Sequence, residues 1–407
     1  MGRHKKVNGG EDTVIEFEED EEKAKPVKVS SPVKDDLALL IQKNLTKQLK
    51  GKDSGNEDAF IGFLDEPEEA PTTVTDWISS GADKLDLAIS NRPHGGWPVG
   101  KIVELTGLEA SGKSLLAAHA LAETQKRGGI AVFIDTESAV APEFLEAIGI
   151  DLNNLLYLQL ETIETIFQAM EDVITSVRNS SKEKLVTIVI DSLAGASTDI
   201  EMEADYTKDG YATTKAILLS KAMRKITNLI AKQKILVILT NQLRVKMQAM
   251  AFADPYTTSG GMAPRFHASV RARTSSMGKI KKGDVVVGNK IKVQIIKNRV
   301  GPPFRVAEFD IYYDSGIDNL GSWITALSDK NIIKKSGTSY VFSLPDGKEY
   351  KFTAREFKNL METDAVAKEY LYTELCNSCI MKYRKAGEVR IDEGLNVDTN
   401  DTIGEND

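Results

Sequence analysis

The chain has 407 residues, of which 41% are hydrophobic, and it carries a formal net charge of −8. This length favours a large core domain with appended modules, and the sequence holds no apolar run of the length that a membrane span needs. The net charge does not indicate a nucleic-acid partner, but binding depends on local charge, and acidic termini can coexist with a basic groove. The first ten residues lack the apolar core of a secretory leader, so we expect an intracellular protein.

The first 74 residues are predicted to hold one helix between polar segments. Residues 1–34 combine an acidic block with a stretch of Lys, Pro and Ser, a composition typical of disorder. Residues 35–74 then hold an amphipathic helix, over about 35–50, and a connector rich in Pro and Glu. Because a single short helix buries little apolar surface, we expect it to pack on another body, such as a neighbouring subunit.

Residues 75–321 alternate apolar strands with helical patterns. The strand-like runs include KIVELTG, IAVFIDT, LVTIVIDS and ILVILTN. Continuous Val, Ile and Leu strands separated by helices predict an α/β fold whose mostly parallel sheet is covered on both faces. Two later runs, NKIKVQIIKNRV and RVAEFDIYYDSGID, predict antiparallel strands at one edge of that sheet.

Residues 322–386 are predicted to form a small α+β domain. Helical patterns, WITALSDKNIIKK and TAREFKNLMETDAVAKEYLYTELCNSCIMKYR, flank a hairpin whose turn is Pro345-Asp346-Gly347. Cys376 and Cys379 form a lone C-x-x-C pair, and we expect reduced thiols on a helix rather than half of a zinc site. Residues 387–407 predict a disordered acidic tail.

The segment GLEASGKS has the pattern G-x-x-x-x-G-K-S between a predicted strand and a predicted helix. Glycines let successive backbone N–H groups point at phosphates, and the helix N-terminus adds its positive end. The pattern predicts a nucleotide site in which Lys113 reaches the outer phosphates and Ser114 ligates Mg²⁺. The predicted loop comprises Gly107, Leu108, Glu109, Ala110, Ser111, Gly112, Lys113 and Ser114.

Three carboxylates follow apolar strands of the predicted sheet. Asp191 ends LVTIVIDS, where a carboxylate can hold Mg²⁺ through water beside the phosphate loop. Asp135 and Glu137 lie at the end of another apolar run, IAVFIDTES, and a base there can orient water at a γ-phosphate. Spacing alone does not choose between Asp135 and Glu137.

Seven segments occur in the order found in bacterial RecA recombinases, a family that phages also encode. They are FIDTESA, IVIDSLA, AMRKI, NQLRVKM, TTSGG, FHASVRA and IIKNRVGPPF. The resemblance covers roughly residues 75–385 and extends more weakly to the N-terminal helix. It implies a RecA-like P-loop ATPase core with an N-terminal helix and a small C-terminal domain, in the cytoplasm of a bacterium or of a phage-infected cell.

The activity that the resemblance implies is homologous recombination driven by ATP and Mg²⁺. Subunits would form a head-to-tail filament on single-stranded DNA, pair it with a homologous duplex, exchange strands and hydrolyse ATP in response to DNA. Single-strand-binding and loader proteins are further candidate partners. A ring-forming helicase shares the phosphate loop, and a regulator that binds ATP without hydrolysis is a third class.

The resemblance assigns residues around the nucleotide. It chooses Glu137 as the catalytic carboxylate and makes Gln242 the group that senses the γ-phosphate. It places Phe144, where the family usually has tyrosine, near the adenine, and it makes Tyr313 another base or ribose contact. Glu137 lies in FIDTESA, Gln242 in NQLRVKM and Tyr313 in IYYDSG.

Two cations in the segment KNR match a pair that reaches the ATP of the neighbouring subunit. These are Lys297 and Arg299, although the family often has lysine at the second position. Such charges stabilise the transferring phosphoryl group only when the next subunit docks. Without the resemblance, KNR would be interpreted as a solvated charge pair at a strand end. Arg265 and Phe266 are implied interface residues.

Two loops after sheet strands are candidate DNA contacts. The first, ASTDIEMEADYTKDGYATT, is acidic and departs from the family pattern, so only residues of the following helix are carried over. The second has one residue more than the usual pattern between Met247 and Pro255, and Tyr256 replaces an acidic residue. Its cations would neutralise phosphates and Met247 would wedge between base steps. The implied contacts are Ser220, Arg224, Arg244, Lys246, Met247, Ser259, Gly260 and Gly261.

Overall fold

The computed structural model describes residues 35–50, 60–63, 73–138, 140–204, 211–245, 256–258 and 261–383. The predicted N-terminal extension, 1–34, and the acidic tail, 387–407, lie outside the described residues, as do the four implied DNA contacts Lys246, Met247, Ser259 and Gly260. The chain divides into two units, Met1–Glu66 and Pro67–Asp407. The domain boundaries given above stay predictions.

The first unit contains helix α1, Asp36–Leu49. Asp35 caps it, because its side chain accepts a hydrogen bond from the backbone N–H of Leu37 over 2.8 Å. Gln42 donates from its side chain to the carbonyl of Ile61 over 3.2 Å. The predicted amphipathic helix is therefore confirmed. Its apolar side chains are between 40% and 63% exposed, and they are Leu37, Leu40, Ile41, Leu45 and Leu49.

The second unit alternates strands and helices along most of its length. Its described strands are β1 (Trp77–Ile78), β2 (Trp97–Pro98), β3 (Ile102–Gly107), β4 (Ile130–Asp135), β5 (Leu155–Gln159), β6 (Val186–Asp191), β7 (Leu236–Val245), β8 (Tyr256–Thr258), β9 (Val270–Lys282), β10 (Val285–Asn298), β11 (Val306–Tyr312), β12 (Gly316–Asp318), β13 (Lys334–Ser336), β14 (Ser339–Ser343) and β15 (Glu349–Phe352). Its described helices are α2 (Asp83–Ser90), α3 (Lys113–Lys126), α4 (Pro142–Ala147), α5 (Ile163–Ser180), α6 (Asp199–Glu203), α7 (Tyr211–Gln233), α8 (Ala263–His267), α9 (Asn319–Asp329), α10 (Phe357–Thr363) and α11 (Ala365–Cys379).

The central sheet has the strand order β12-β11-β10-β9-β3-β7-β6-β4-β5, and β8 pairs with β7. Strands from β9 to β5 along this path are parallel to their neighbours. Strands β9 to β12 pair antiparallel and form one edge. The predicted α/β class, the mostly parallel sheet and its antiparallel edge are confirmed.

Both faces of the parallel strands are buried. Ile102 of β3 packs in one hydrophobic cluster and Val103 in another, because successive strand side chains point to opposite faces. Helix α3 covers the face of Val103, and helices α5 and α7 cover the face of Ile102. All six residues of β3 and of β6 are buried, in agreement with their mostly apolar sequences.

The structure differs from the sequence-based expectations in four places. Strand β9, which follows the FHA segment, was not predicted, and neither was the short strand β5. The first polar loop contains helix α6, which Thr198 caps by accepting from the backbone N–H of Glu201 over 3.2 Å. The helix predicted over WITALSDKNIIKK ends at Asp329, and the positive φ of Asn331 (57°) turns the chain into β13.

The C-terminal part of the unit has its own apolar cluster around a three-stranded antiparallel sheet, β13-β14-β15. The predicted hairpin is the pair of strands β14 and β15. Cys376 and Cys379 lie on α11 as free thiols, and the hydroxyl of Tyr372 on the same helix accepts from the backbone N–H of His94 over 2.8 Å. Among the helices that the structure describes, none has both the length and the hydropathy of a membrane span.

Candidate nucleotide site and nucleic-acid interface

The predicted phosphate loop connects β3 to α3. Gly107 ends the strand, and a Cβ there would lie 2.3 Å from the side-chain oxygens of Ser111 and Thr274, so only glycine fits. Gly112 has a φ of 87° and immediately precedes α3, which leaves the helix N-terminus bare of side-chain caps. The loop therefore presents backbone N–H groups and a helix N-terminus at one place, which suits an anion such as phosphate.

Lys113 is the first residue of α3 and is only 8% exposed. Its Nζ donates to the carbonyl oxygen of Leu108 over 2.7 Å, so the ammonium lies inside the loop. Burial lowers the pKa of Lys113, and the charges of Asp191 and Glu137 act in the opposite direction. The structure thus places one cation within the predicted phosphate cradle.

Asp191 ends β6 and faces the start of α3. Its carboxylate accepts from the hydroxyl of Thr240 over 2.5 Å, and it also accepts from the hydroxyl of Ser114. Burial raises the pKa of Asp191, while the two hydrogen bonds oppose that rise. Oxygen donors from Ser114 and Asp191 at the mouth of the loop are the kind that Mg²⁺ prefers. The residues present fit the predicted magnesium site.

The two carboxylates that follow β4 have different surroundings. Asp135 is 1% exposed, and its oxygens accept from the backbone N–H groups of Glu137 (2.9 Å) and Ser138 (2.8 Å) and from the hydroxyl of Tyr157 (2.8 Å). Asp135 is thus committed to holding the turn on which Glu137 stands. Of the two candidates, Glu137 is the one that the geometry leaves available for water.

Glu137 meets β7 at the point where the pairing of β7 with β3 ends. Its Oε1 accepts from Nε2 of Gln242 over 3.1 Å and from the hydroxyl of Ser192 over 2.5 Å. The resemblance implied Gln242, but Ser192 was not predicted. Ser192 directly follows Asp191 and could have been found from its place at a strand end. The structure brings together Lys113, Ser114, Asp191, Glu137 and Gln242 at the carboxyl ends of β3, β4, β6 and β7.

Strand β7 continues past Gln242 to the base of the second candidate DNA loop. Arg244 is exposed and pairs in register with Thr257 of β8, and Leu243 pairs with Thr258. Strand β8 therefore brings the two ends of this loop side by side. Because Gln242 and Arg244 are two residues apart on one strand, they project from the same face.

Helix α7 lies against the far end of the same loop. Gly261 has a φ of 68°, and a Cβ on it would lie 3.2 Å from Cβ of Ala216 on α7. Ser220 and Arg224 are four residues apart on α7 and share one face of it. The Arg224 charge helps to lower the pKa of His267 on α8, after the larger effect of burial. The implied DNA contacts that the structure describes therefore lie around one region, between the second loop and α7.

Lys297 and Arg299 form a second cluster around α8. Nζ of Lys297 donates to the carbonyls of Arg265 (2.6 Å) and Phe266 (3.1 Å). Burial lowers the pKa of Lys297 to about 8, and the charges of Arg299 and Arg271 act in the same direction. Phe266 is 62% exposed. Within one subunit, the partners of Lys297 are thus carbonyls of α8.

The two aromatic residues implied as nucleotide contacts lie on the surface of the core. Phe144 of α4 packs against the hydrophobic cluster under α3 and stays partly exposed. Tyr313 follows β11, is 53% exposed, and donates from its backbone N–H to the carbonyl of Val287 over 3.0 Å. Both rings are accessible, and their contact with a base or ribose stays a prediction.

A buried ion pair was missed by the sequence analysis. Glu104 in β3 is fully buried, and its Oε2 accepts from Nε of Arg271 on β9 over 2.5 Å. Its Oε1 accepts from Nδ2 of Asn241 on β7 over 3.0 Å. The signal was the acidic residue in the middle of KIVELTG, since a charge inside an apolar strand needs a partner.

The chain resembles known proteins over most of its length. The family model described as the RecA N-terminal domain matches residues 60–318. Protein RecA of Gluconobacter oxydans is 40% identical over 298 residues, which are 73% of this chain and 83% of that protein. Protein RecA of Clostridioides difficile is 42% identical over 275 residues, 68% of this chain and 76% of that protein. Protein RecA of Nostoc punctiforme is 42% identical over 266 residues, 65% of this chain and 71% of that protein.

Proposed function

The chain belongs to the RecA family, and from this membership we propose that it is an ATP-dependent homologous recombinase. It forms filaments on single-stranded DNA, pairs that strand with a homologous duplex, and exchanges strands. It hydrolyses ATP in response to DNA. Its substrates are nucleic acids of the cytoplasm, so we also propose a cytoplasmic location.

The observation that carries this proposal is the contact between Gln242 and Glu137. Gln242 meets Glu137 at the nucleotide site over 3.1 Å, and the same strand reaches Arg244 at the base of the DNA loop two residues later. A change at the γ-phosphate can therefore move a DNA contact through one continuous strand. This is the link that a DNA-dependent ATPase needs.

The residues at the carboxyl edge of the sheet support ATP and Mg²⁺ as cofactors. The backbone of Gly107 to Ser114 would hold the phosphates, Lys113 their outer oxygens, and Ser114 with Asp191 the metal ion. When bound, Mg²⁺ neutralises charge that develops on the phosphates. Glu137 orients and deprotonates the attacking water, and the hydroxyl of Ser192 fixes the Glu137 carboxylate.

ATP also forms part of the contact between subunits. Lys297 and Arg299 reach the phosphates of the neighbouring subunit and stabilise the charge that develops during hydrolysis. Such a contact joins unlike faces of identical chains, so it propagates as a head-to-tail filament. The exposed apolar face of α1 supports docking on an adjacent core, and Arg265 with the exposed Phe266 lies on the interface.

The DNA contacts border the two loops. Arg244 and Arg224 neutralise phosphates, Ser220 donates a hydrogen bond, and Gly261 brings backbone close to the strand. Lys246, Met247, Ser259 and Gly260 complete the proposed set and lie outside the described residues. Met247 would wedge between base steps and the other groups contact backbone, so none of them reads base edges, which leaves base pairing to read the sequence.

A strand-exchange assay tests the proposed function. Purified protein is mixed with circular single-stranded DNA and a linear duplex, either homologous or unrelated, with and without ATP. We expect joint molecules only with the homologous duplex and ATP. Electron microscopy of the same mixture with an ATP analogue separates the alternatives: closed rings without filaments would support a helicase, and absence of DNA-stimulated phosphate release would support a non-hydrolysing regulator.

A further inference from the structure

The buried ion pair joins β3 to β9, and the hydrogen bond from Asn241 to Glu104 adds β7. Strands β3 and β7 reach the nucleotide site, and β9 pairs with the strand of Lys297. The carboxylate of Glu104 is fully buried, and the side chain of its partner Arg271 is only 10% exposed. Asn241, which donates to the other carboxylate oxygen, is also buried. Because breaking one bond would leave a buried polar or charged group unpaired, this arrangement acts as a stiff cross-link between β9, β3 and β7.

On one side, the cross-link reaches the γ-phosphate sensor. Asn241 immediately precedes Gln242 on β7, and successive strand residues point to opposite faces. Asn241 accordingly meets Glu104 on one face of the sheet while Gln242 meets Glu137 on the other. A displacement of β7 at Gln242 therefore displaces the amide that Glu104 holds.

On the other side, the cross-link reaches the cations that face the neighbouring subunit. Arg271 is the register partner of Glu104 on β3 and of Lys297 on β10. Glu104, Arg271 and Lys297 thus form a row across three adjacent strands. Lys297 continues the row to α8 through the carbonyls of Arg265 and Phe266.

We propose that Glu104 is a positioning residue that couples the neighbour-facing cation Lys297 to the γ-phosphate sensor Gln242. One carboxylate oxygen of Glu104 accepts from Asn241 on β7, and the other accepts from Arg271 on β9. A shift of β7 is therefore transmitted to β9, which pairs with the strand of Lys297. This inference rests on the proposed function, because it requires ATP between subunits. Stability alone does not call for such a pair, since apolar residues of similar volume pack at least as well in a core.

The double variant Glu104→Gln/Arg271→Met tests the coupling. It removes both charges together and so leaves neither one buried without its partner. We expect a melting temperature close to that of the wild type and unchanged ATP affinity of single subunits. The kcat of DNA-stimulated hydrolysis should fall about tenfold, and the Hill coefficient for ATP should fall toward one. A folded double variant with the wild-type kcat and Hill coefficient overturns the inference.

The matched control removes a different ion pair. Lys225 on α7 and Glu171 on α5 pair over 2.6 Å at the surface. Glu171→Gln should retain both the kcat and the Hill coefficient, because exposed pairs contribute little. A control that loses cooperativity to the same extent as the double variant would also overturn the inference.

The single variant Glu104→Gln provides a readout that a purely structural role would not move. The charged groups facing Lys297 are Arg271 from β9, Arg299 beyond its own strand, Glu104 from β3, and Arg265 with His267 from α8. Glu104 is the acidic group that raises the pKa of Lys297. In Glu104→Gln, the decrease of kcat at alkaline pH should therefore occur at a lower pH than in the wild type. A decrease at the wild-type pH overturns the inference.

The outcomes separate the two proposals. If the wild type shows no DNA-stimulated hydrolysis, the proposed function fails and the inference fails with it. If the wild type shows that activity, and either the double variant keeps the wild-type kcat and Hill coefficient or Glu104→Gln keeps the wild-type pH profile, only the inference fails.

Discussion

Gln242 donates a hydrogen bond from Nε2 to Oε1 of Glu137 over 3.1 Å. Gln242 lies on β7 and Glu137 follows β4, and these strands are not adjacent in the sheet, since β6 lies between them. Glu137 can reach across because Asp135 accepts hydrogen bonds from the backbone of the turn that carries it. The pair therefore connects the residue proposed to activate water with the strand that leads to the DNA loop.

Replacing Gln242 with alanine should uncouple DNA binding from hydrolysis. The variant loses the contact with Glu137 but no group of the phosphate loop, so ATP affinity should stay within a few-fold of the wild type. DNA-stimulated hydrolysis should fall about tenfold or more, as expected for loss of a coupling contact. Phosphate release with and without single-stranded DNA measures the effect.

Gln159→Ala is a matched control for this change. Gln159 also donates from its side chain near the nucleotide site, to the hydroxyl of Ser138 over 2.8 Å, but β5 does not lead to a DNA loop. The Gln159→Ala variant should therefore retain DNA-stimulated hydrolysis. Equal losses in the two variants would contradict the assignment of Gln242 as the sensor.

Lys113→Ala should abolish ATP turnover. Lys113 is the buried cation of the phosphate loop, and removing one group that stabilises developing charge typically lowers kcat by about 10²–10³. Lys126→Ala, which removes an exposed lysine paired with Glu123, should leave turnover unchanged. Steady-state phosphate release compares them, and substantial turnover by Lys113→Ala would remove the loop from the proposed site.

The sequence predicted those parts of the fold and site that depend on local patterns. The phosphate loop was predictable because its key features are local: Gly112 has a positive φ, and Lys113 donates to the carbonyl of Leu108 five residues earlier. Strand β9 was missed because its exposed half, from Ser275 to Lys282, lacks the apolar alternation of a buried strand. Spacing alone left Asp135 and Glu137 as alternatives, because the hydrogen bond from Tyr157 that occupies Asp135 is a long-range contact that no spacing rule contains.

The pH dependence of hydrolysis should report Lys297. Its pKa is lowered to about 8, so the ammonium is charged below that pH and loses its proton as pH rises through it. If the charge acts on the neighbour's ATP, the kcat of DNA-stimulated hydrolysis should fall across the same range. Lys297→Arg keeps its charge there and should remove the fall. A fall that persists in this variant would assign it to another group.

Arg244→Ala should weaken DNA binding and leave nucleotide affinity of the free protein nearly intact. Arg244 is exposed beside β8, where it can neutralise one phosphate. Losing one phosphate contact to single-stranded DNA should reduce the slope of log K against log salt by about 0.7. Fluorescence anisotropy over a salt series measures this slope. Arg355 is an exposed arginine of the C-terminal part, and Arg355→Ala should leave the slope unchanged. Equal loss of ATP and DNA affinity in Arg244→Ala would contradict the loop assignment.

Gly261→Ala should destabilise the far end of the DNA loop for two separable reasons. Its φ of 68° is unfavourable for alanine, and the new Cβ would lie 3.2 Å from Cβ of Ala216 on α7. Gly337→Ala shares the first cost, with a φ of 63°, but a Cβ there meets nothing within 4 Å. Each change should cost about 1 kcal/mol in backbone strain, measured by chemical denaturation. Only Gly261→Ala should also lower single-stranded DNA affinity, because it alone pushes the loop from α7; unchanged DNA affinity would show that this approach does not position the loop.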